Sequence, residues 1–189
     1  GTLASLFAAA RPERVGELLL VEALGPLTTT LEQALPQLRR ALDQHAAFET
    51  RRPLRVFRTL DEAIETRMLA NDLSEPAARA IVARGVHAID GGWVWSSDPR
   101  LTLASPQRYT EEQVRAMLGG IRARTLLVLA DPPTDYLPIA MMDARASCVA
   151  DIRVVRLPGS HHLHLEDAPA VAAQIRSFCA GAAIQVAGA

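Results

Sequence analysis

The chain has 189 residues, 49% of them hydrophobic and 22% charged, with a formal net charge of −1. That balance excludes a disordered chain and a strongly basic nucleic-acid binder, and no apolar run reaches the roughly 18–20 residues of a membrane-spanning helix. All 20 basic residues are arginine, which excludes a Schiff-base lysine, a pyridoxal phosphate anchor and a P-loop lysine within these residues. Two cysteines, Cys148 and Cys179, lie too far apart for a disulfide framework and read as small buried hydrophobes. A soluble globular protein of the reducing cytoplasm is expected, and no signal-peptide pattern opens the sequence.

In chain order, "GTLASLFAAARPERV" comes first, with Leu3, Leu6, Phe7 and Ala10 recurring at i, i+3, i+4 and i+7. This spacing predicts a helix with one apolar face, ending at Arg11-Pro12. A buried-looking helix is an unusual first element, so a preceding segment is expected. Next, residues 18–21 of "GELLLVEALGP" form a short apolar run bounded by Gly25-Pro26, as expected for a strand buried in a parallel sheet. The same pattern recurs at 124–133, "RTLLVLADPP", and at 151–159, "DIRVVRLPG". In open α/β sheets ligands sit at the carboxyl ends of the strands, where Glu22, Asp131, Asp135 and His161 fall.

Residues 26–118 read as an insertion of different character. Leu31, Leu35, Leu38 and Leu42 form a helical stripe, with Pro36 as a kink or break. Thr59 and Glu62 have capping-box spacing, and Ser74 and Gly85 bracket a further helix. "DGGWVWSSDP" predicts a turn into a short strand with Trp93 and Trp95 on one side. Those tryptophans, Met68 and the leucine stripe are either the lobe's own core or the lining of a substrate pocket.

This order of elements resembles the C-terminal two thirds of an α/β-hydrolase. "GTLASLFAAARPERVGELLLVEALGP" is similar to the segment after the nucleophile elbow in that family, and the insertion falls where those enzymes carry a cap. "VVRLPGSHHLHLEDAPAVAAQIRSFC" resembles the segment bearing their catalytic histidine. Within the superfamily the resemblance is to serine hydrolase-like proteins, with "GPL" after the strand and a G-x-H-x-x-H loop before the last helix. The expected fold is therefore α/β: a partial α/β-hydrolase sheet of the last three parallel strands with flanking helices, residues 1–25 and 119–189, plus an inserted, mainly helical cap at 26–118.

The resemblance also implies roles. His161 would be the general base and His164 would support its loop through hydrogen bonds; His162 has no role in the resemblance and reads as a solvent-facing residue. The acid partner is Asp135, after the penultimate strand, or Glu22, one strand earlier; Asp131 precedes Pro132-Pro133, which aims it outward. Trp93 and Trp95 are the substrate-binding candidates. The elbow G-x-S-x-G does not occur among residues 1–189, so the expectation is a hydrolase segment separated from its nucleophile and inactive alone, with Gly1 as the last glycine of the elbow. Ser5 cannot replace it, because it lies inside the helix.

A metal reading of His161, His164 and Glu166 or Asp167 competes with this one. Asp167 and Pro169 are also what a helix start needs, and there is no second His or Cys cluster, so no metal and no cofactor are expected. The expected partner is a small-molecule substrate, with no nucleic acid and no membrane, and with self-association through an exposed sheet edge. A non-catalytic ligand-binding or interaction module is the alternative.

Overall fold

A computed structural model describes residues 1–48 and 55–186. In chain order α1 (Thr2–Ala10) leads through a 3-10 turn into β1 (Glu17–Val21). Then come α2 (Leu31–Ala46), α3 (Leu60–Asn71), α4 (Glu75–Gly85) and the strands β2 (Val86–Ile89) and β3 (Gly92–Trp95). The chain continues through α5 (Glu111–Leu118), β4 (Arg124–Asp131), α6 (Ile139–Ala146), β5 (Ile152–Pro158), α7 (Leu163–Glu166) and α8 (Ala168–Val186). Contacts divide it into two compact units, residues 1–31 with 108–189, and residues 32–107. Helix α5, which falls inside the expected insertion, belongs to the first unit.

The first unit is an α/β layer structure. Its sheet is parallel in the order β1-β4-β5, with Leu20 opposite Leu127 and Leu127 opposite Val154. The three apolar runs of the sequence thus become the three strands. The central strand β4 is buried from Thr125 to Ala130 because helices cover both of its faces. On one face Leu18, Leu20, Leu127 and Leu129 pack with Ala8, Val114, Leu118 and Met142. On the other, Leu126, Val128 and Ala130 pack with Leu163, Val171 and Phe178. β1 alternates instead, and its Leu19 is 36% exposed.

Two expectations are corrected in this unit. Helix α1 forms, but its buried residues are Ser5 and Ala8, while Leu3 and Phe7 are exposed. Small side chains let the helix approach closely, and Ser5 Oγ uses that approach to donate to the Gly1 carbonyl (2.9 Å) and accept from the Gly25 amide (3.2 Å). Neither cysteine is buried. The inward face of α8 is taken by Val171, Ile175 and Phe178, which leaves Cys179 one position outside it.

The amino end of β4 is clamped by Arg124. Its guanidinium pairs with Glu17 across the β1–β4 register, donates to the Phe178 carbonyl of α8 (2.6 Å) and lies over the Phe178 ring. A second arginine, Arg145 of α6, is only 1% exposed. It donates to the Leu24 carbonyl just after β1 (2.8 Å) and makes a two-pronged pair with Glu111 at the start of α5 (2.9 and 2.7 Å). The turn it holds contains Gly25 at φ +78, where an added Cβ would come within 2.7 Å of Val114. Only glycine suits that backbone and that space.

In the second unit α2 continues through Pro36 without ending, giving up the bond its missing N–H would make to Glu32. The expected leucine stripe is present, and Leu31, Leu35, Leu38 and Leu42 are all exposed. Thr59 caps α3 by accepting from the Glu62 amide, but the Glu62 carboxylate turns to the Arg58 amide and to Arg55, so only half of the expected box forms. Ser74 caps α4 as its spacing predicts. The hairpin β2–β3 forms, and Phe57 bridges to Trp93 beside it. Gly92, at φ +152, allows that approach: a Cβ there would lie 2.1 Å from the Phe57 carbonyl oxygen.

Replacing Arg145 with Met keeps an apolar stem but leaves Glu111 and the Leu24 carbonyl without their donor. The expected cost is about 3 kcal/mol, near the lower end for breaking a buried pair, since Glu111 keeps some solvent. Equilibrium urea unfolding of the two proteins measures it.

Candidate functional site

Three strand ends meet at one carboxylate. β1 ends at Val21, and Glu22 then adopts φ +54, a left-handed conformation that costs a non-glycine residue on the order of 1 kcal/mol. The Glu22 amide donates to the Val128 carbonyl (2.9 Å), which keeps the residue against β4 while its side chain turns under the sheet's carboxyl edge. That side chain is only about 5% exposed. Oε1 accepts the amide of Ala130, near the end of β4, and Oε2 lies 3.1 Å from His161 Nδ1, in the loop after β5.

Nδ1 faces the carboxylate, an acceptor, and Nε2 faces away from it. Nε2 has no hydrogen-bond partner among the described residues, and His161 is partly exposed. A histidine set against a carboxylate with its second nitrogen open has the geometry that can take a proton from a group delivered to it. The chain path to His161 passes Gly159, whose amide is fixed to the Asp131 carbonyl at the end of β4 (3.1 Å).

Of the two acid candidates, the structure brings Glu22 to His161. Asp135 is exposed and makes no hydrogen bond to either residue, and Asp131 is exposed at the end of β4. Sequence reasoning missed Tyr136, whose ring stands edge-on to His161 at 5.4 Å between centroids. It also missed the Ala130 amide, which no side-chain pattern could reveal. His162 packs edge-on against His161 at 5.1 Å, so it is a neighbour of the pair and not merely a solvent-facing residue. His164 was expected to brace the loop by hydrogen bonds; its side chain makes none among the described residues and it packs beside His162. Loss of hydration on this turn, reinforced by repulsion from His161, holds the His164 imidazole below its ordinary value of 6.5.

Asp167 accepts from the Ala170 amide (3.1 Å) at the start of α8, so it is used as a cap. Among the described residues no three His, Cys, Asp or Glu side chains form a group that could hold a metal ion, and no helix is long and apolar enough to cross a membrane. Beside Glu22, bordered by Ala130, Thr134 and Arg156, is a cavity of about 10 Å³, the size of one water at most. Trp93 and Trp95 lie in the second unit, where Trp95 packs edge-on to Phe57 (5.9 Å) with the Arg67 guanidinium 5.6 Å from its ring centre.

No protein-family model matches the chain. A serine hydrolase-like protein of Danio rerio is 28% identical over 187 residues, which are 94% of this chain and 57% of that protein. A solved structure, a hypothetical protein of Pseudomonas aeruginosa PAO1, superposes with a TM-score of 0.82 at 33% identity, over 95% of this chain and 63% of the other. The thioesterase domain from the curacin biosynthetic pathway superposes with a TM-score of 0.72 at 27% identity, over 93% and 62%. The chain spans just over half the length of the curated relatives it matches.

The depressed His164 gives the turn a pH dependence. The unfolded chain binds more protons there than the folded one, so stability is greatest above 6.5 and falls as pH drops below that value. Urea midpoints measured between pH 7.5 and 5.5 should fall less steeply in His164→Gln than in the unsubstituted protein. Equal slopes would assign the acid sensitivity to other groups.

Proposed function

Because the chain belongs to the α/β-hydrolase superfamily, we propose that it supplies the general base and its supporting acid to a Ser-His-acid hydrolase of esters or related bonds in a small-molecule substrate. The observation that carries this reading is the 3.1 Å contact of His161 Nδ1 with buried Glu22, which leaves Nε2 open at the carboxyl edge of a parallel sheet. His161 is the base and Glu22, in preference to Asp135, is the acid.

In the proposed reaction a serine Oγ loses its proton to His161 Nε2 as it attacks the substrate carbonyl. Glu22 stabilises the imidazolium without taking the proton itself. The imidazolium then protonates the leaving group, and in the second half-reaction His161 takes a proton from the water that releases the acyl group. The serine has to come from outside residues 1–189, which contain no G-x-S-x-G. Ser5 is fully buried and both its hydrogen bonds are structural. These 189 residues by themselves are therefore proposed to be inactive. The second reading is a non-catalytic ligand-binding or interaction module.

The test is to extend the reading frame upstream of Gly1, express the product and assay short p-nitrophenyl esters. An upstream elbow is expected, together with activity that falls about 10⁴-fold in His161→Ala and about 10²- to 10⁴-fold in Glu22→Gln, while Asp135→Asn stays within about twofold. Activity indifferent to His161, or no elbow upstream, would overturn the hydrolase reading in favour of the binding module.

We also propose that residues 1–189 self-associate through β1. Among the described residues its outer edge pairs with no strand, and such an edge recruits one from a neighbour. Analytical ultracentrifugation should show a dimer or larger species; a monodisperse monomer would exclude this.

A further inference from the structure

The second unit carries a groove that the hydrolase reading leaves unused. Its volume is about 610 Å³, within the range of small-molecule sites. Ile81 and Trp95 give it an apolar wall, Arg67 of α3 and Arg84 of α4 are its charged residues, and Ser96 and Ser97 add hydroxyls just after β3. No carboxylate lines it.

Arg67 is the informative residue. Its Nε is buried and has no hydrogen-bond partner, while its guanidinium is held against the Trp95 ring. The enclosed Nε leaves the guanidinium at the groove wall with no acidic partner among the described residues. Arg84 is exposed and makes no ion pair among the described residues. Two guanidinium groups beside hydroxyls and an apolar wall, with no opposing acid, match an oxyanion attached to a flat hydrocarbon body.

We propose that this groove binds a small molecule bearing a phosphate or carboxylate on an aromatic or otherwise flat apolar group. Arg67 and Arg84 would hold the oxyanion, and Trp95 and Ile81 the apolar body. The proposal is independent of the hydrolase reading, since a chain without esterase activity can still bind such a ligand.

Isothermal titration of the 189-residue chain with phenyl phosphate, benzoate, inorganic phosphate and phenol tests it. Phenyl phosphate or benzoate should bind saturably at one site per chain, more tightly than inorganic phosphate, and phenol should not bind measurably. The tighter of the two aromatic anions identifies the oxyanion. Arg67→Met and Arg84→Met should each raise Kd about tenfold or more, while Arg115→Met, on α5 of the other unit, leaves it unchanged. Arg84 is on the surface, so its variant remains informative if Arg67→Met misfolds, which circular dichroism would reveal. No saturable binding of either aromatic anion, equal binding of phenol, or a loss in Arg115→Met as large as in Arg84→Met would overturn the proposal.

Discussion

A carboxylate taken out of water costs several kcal/mol unless other groups replace its hydration, and Glu22 is such a carboxylate. Its two oxygens are satisfied by the Ala130 amide and the His161 ring, so burying it requires the ends of β1, β4 and β5 to be in register with one another. The left-handed backbone at Glu22 is kept because the amide bond to Val128 and the two side-chain contacts determine it together. Behind it, Arg145 and Ser5 hold the Leu24-Gly25 turn from two different helices. The pair is positioned by the fold's rigid parts, although one of its members sits on a loop.

The sheet divides its labour between its two ends. At the amino end, Arg124 joins β1, β4 and α8 through Glu17, the Phe178 carbonyl and the Phe178 ring, with Nε and one terminal nitrogen of its guanidinium spent on structure. At the carboxyl end the polar groups are spent on one histidine whose Nε2 stays open. Parallel strands make this asymmetry natural, since all three deliver their following loops to the same edge.

The relatives and solved structures that align over nearly the whole of this chain continue well beyond it. What the described residues hold is a three-stranded sheet whose two outer edges, on β1 and β5, pair with no further strand, a buried carboxylate against a histidine, and a second unit with its own arginine-lined groove. The proposed reaction needs a nucleophile brought to His161, which is why the proposal joins these residues to a serine-bearing segment.

Patterns of side-chain type along the chain determined the three sheet strands and the helix starts at Thr59, Ser74 and Asp167, and the family resemblance singled out His161. Four- to eight-residue apolar runs closed by Pro or Gly have few alternatives to a covered strand, and Ser or Thr three residues ahead of a free amide caps a helix wherever it occurs. The sequence also narrowed the acid to two carboxylates, but could not choose between them, because each follows a strand that ends at the same edge. Only the tertiary structure brings Glu22, and not Asp135, against His161, through a left-handed residue and an amide on another strand that no spacing encodes. It likewise decided that α1 buries Ser5 and Ala8 in place of Leu3 and Phe7, that α2 runs through Pro36, and that Arg145 is interior. Periodicity reports which residues share a face, whereas the neighbouring elements decide which face is covered.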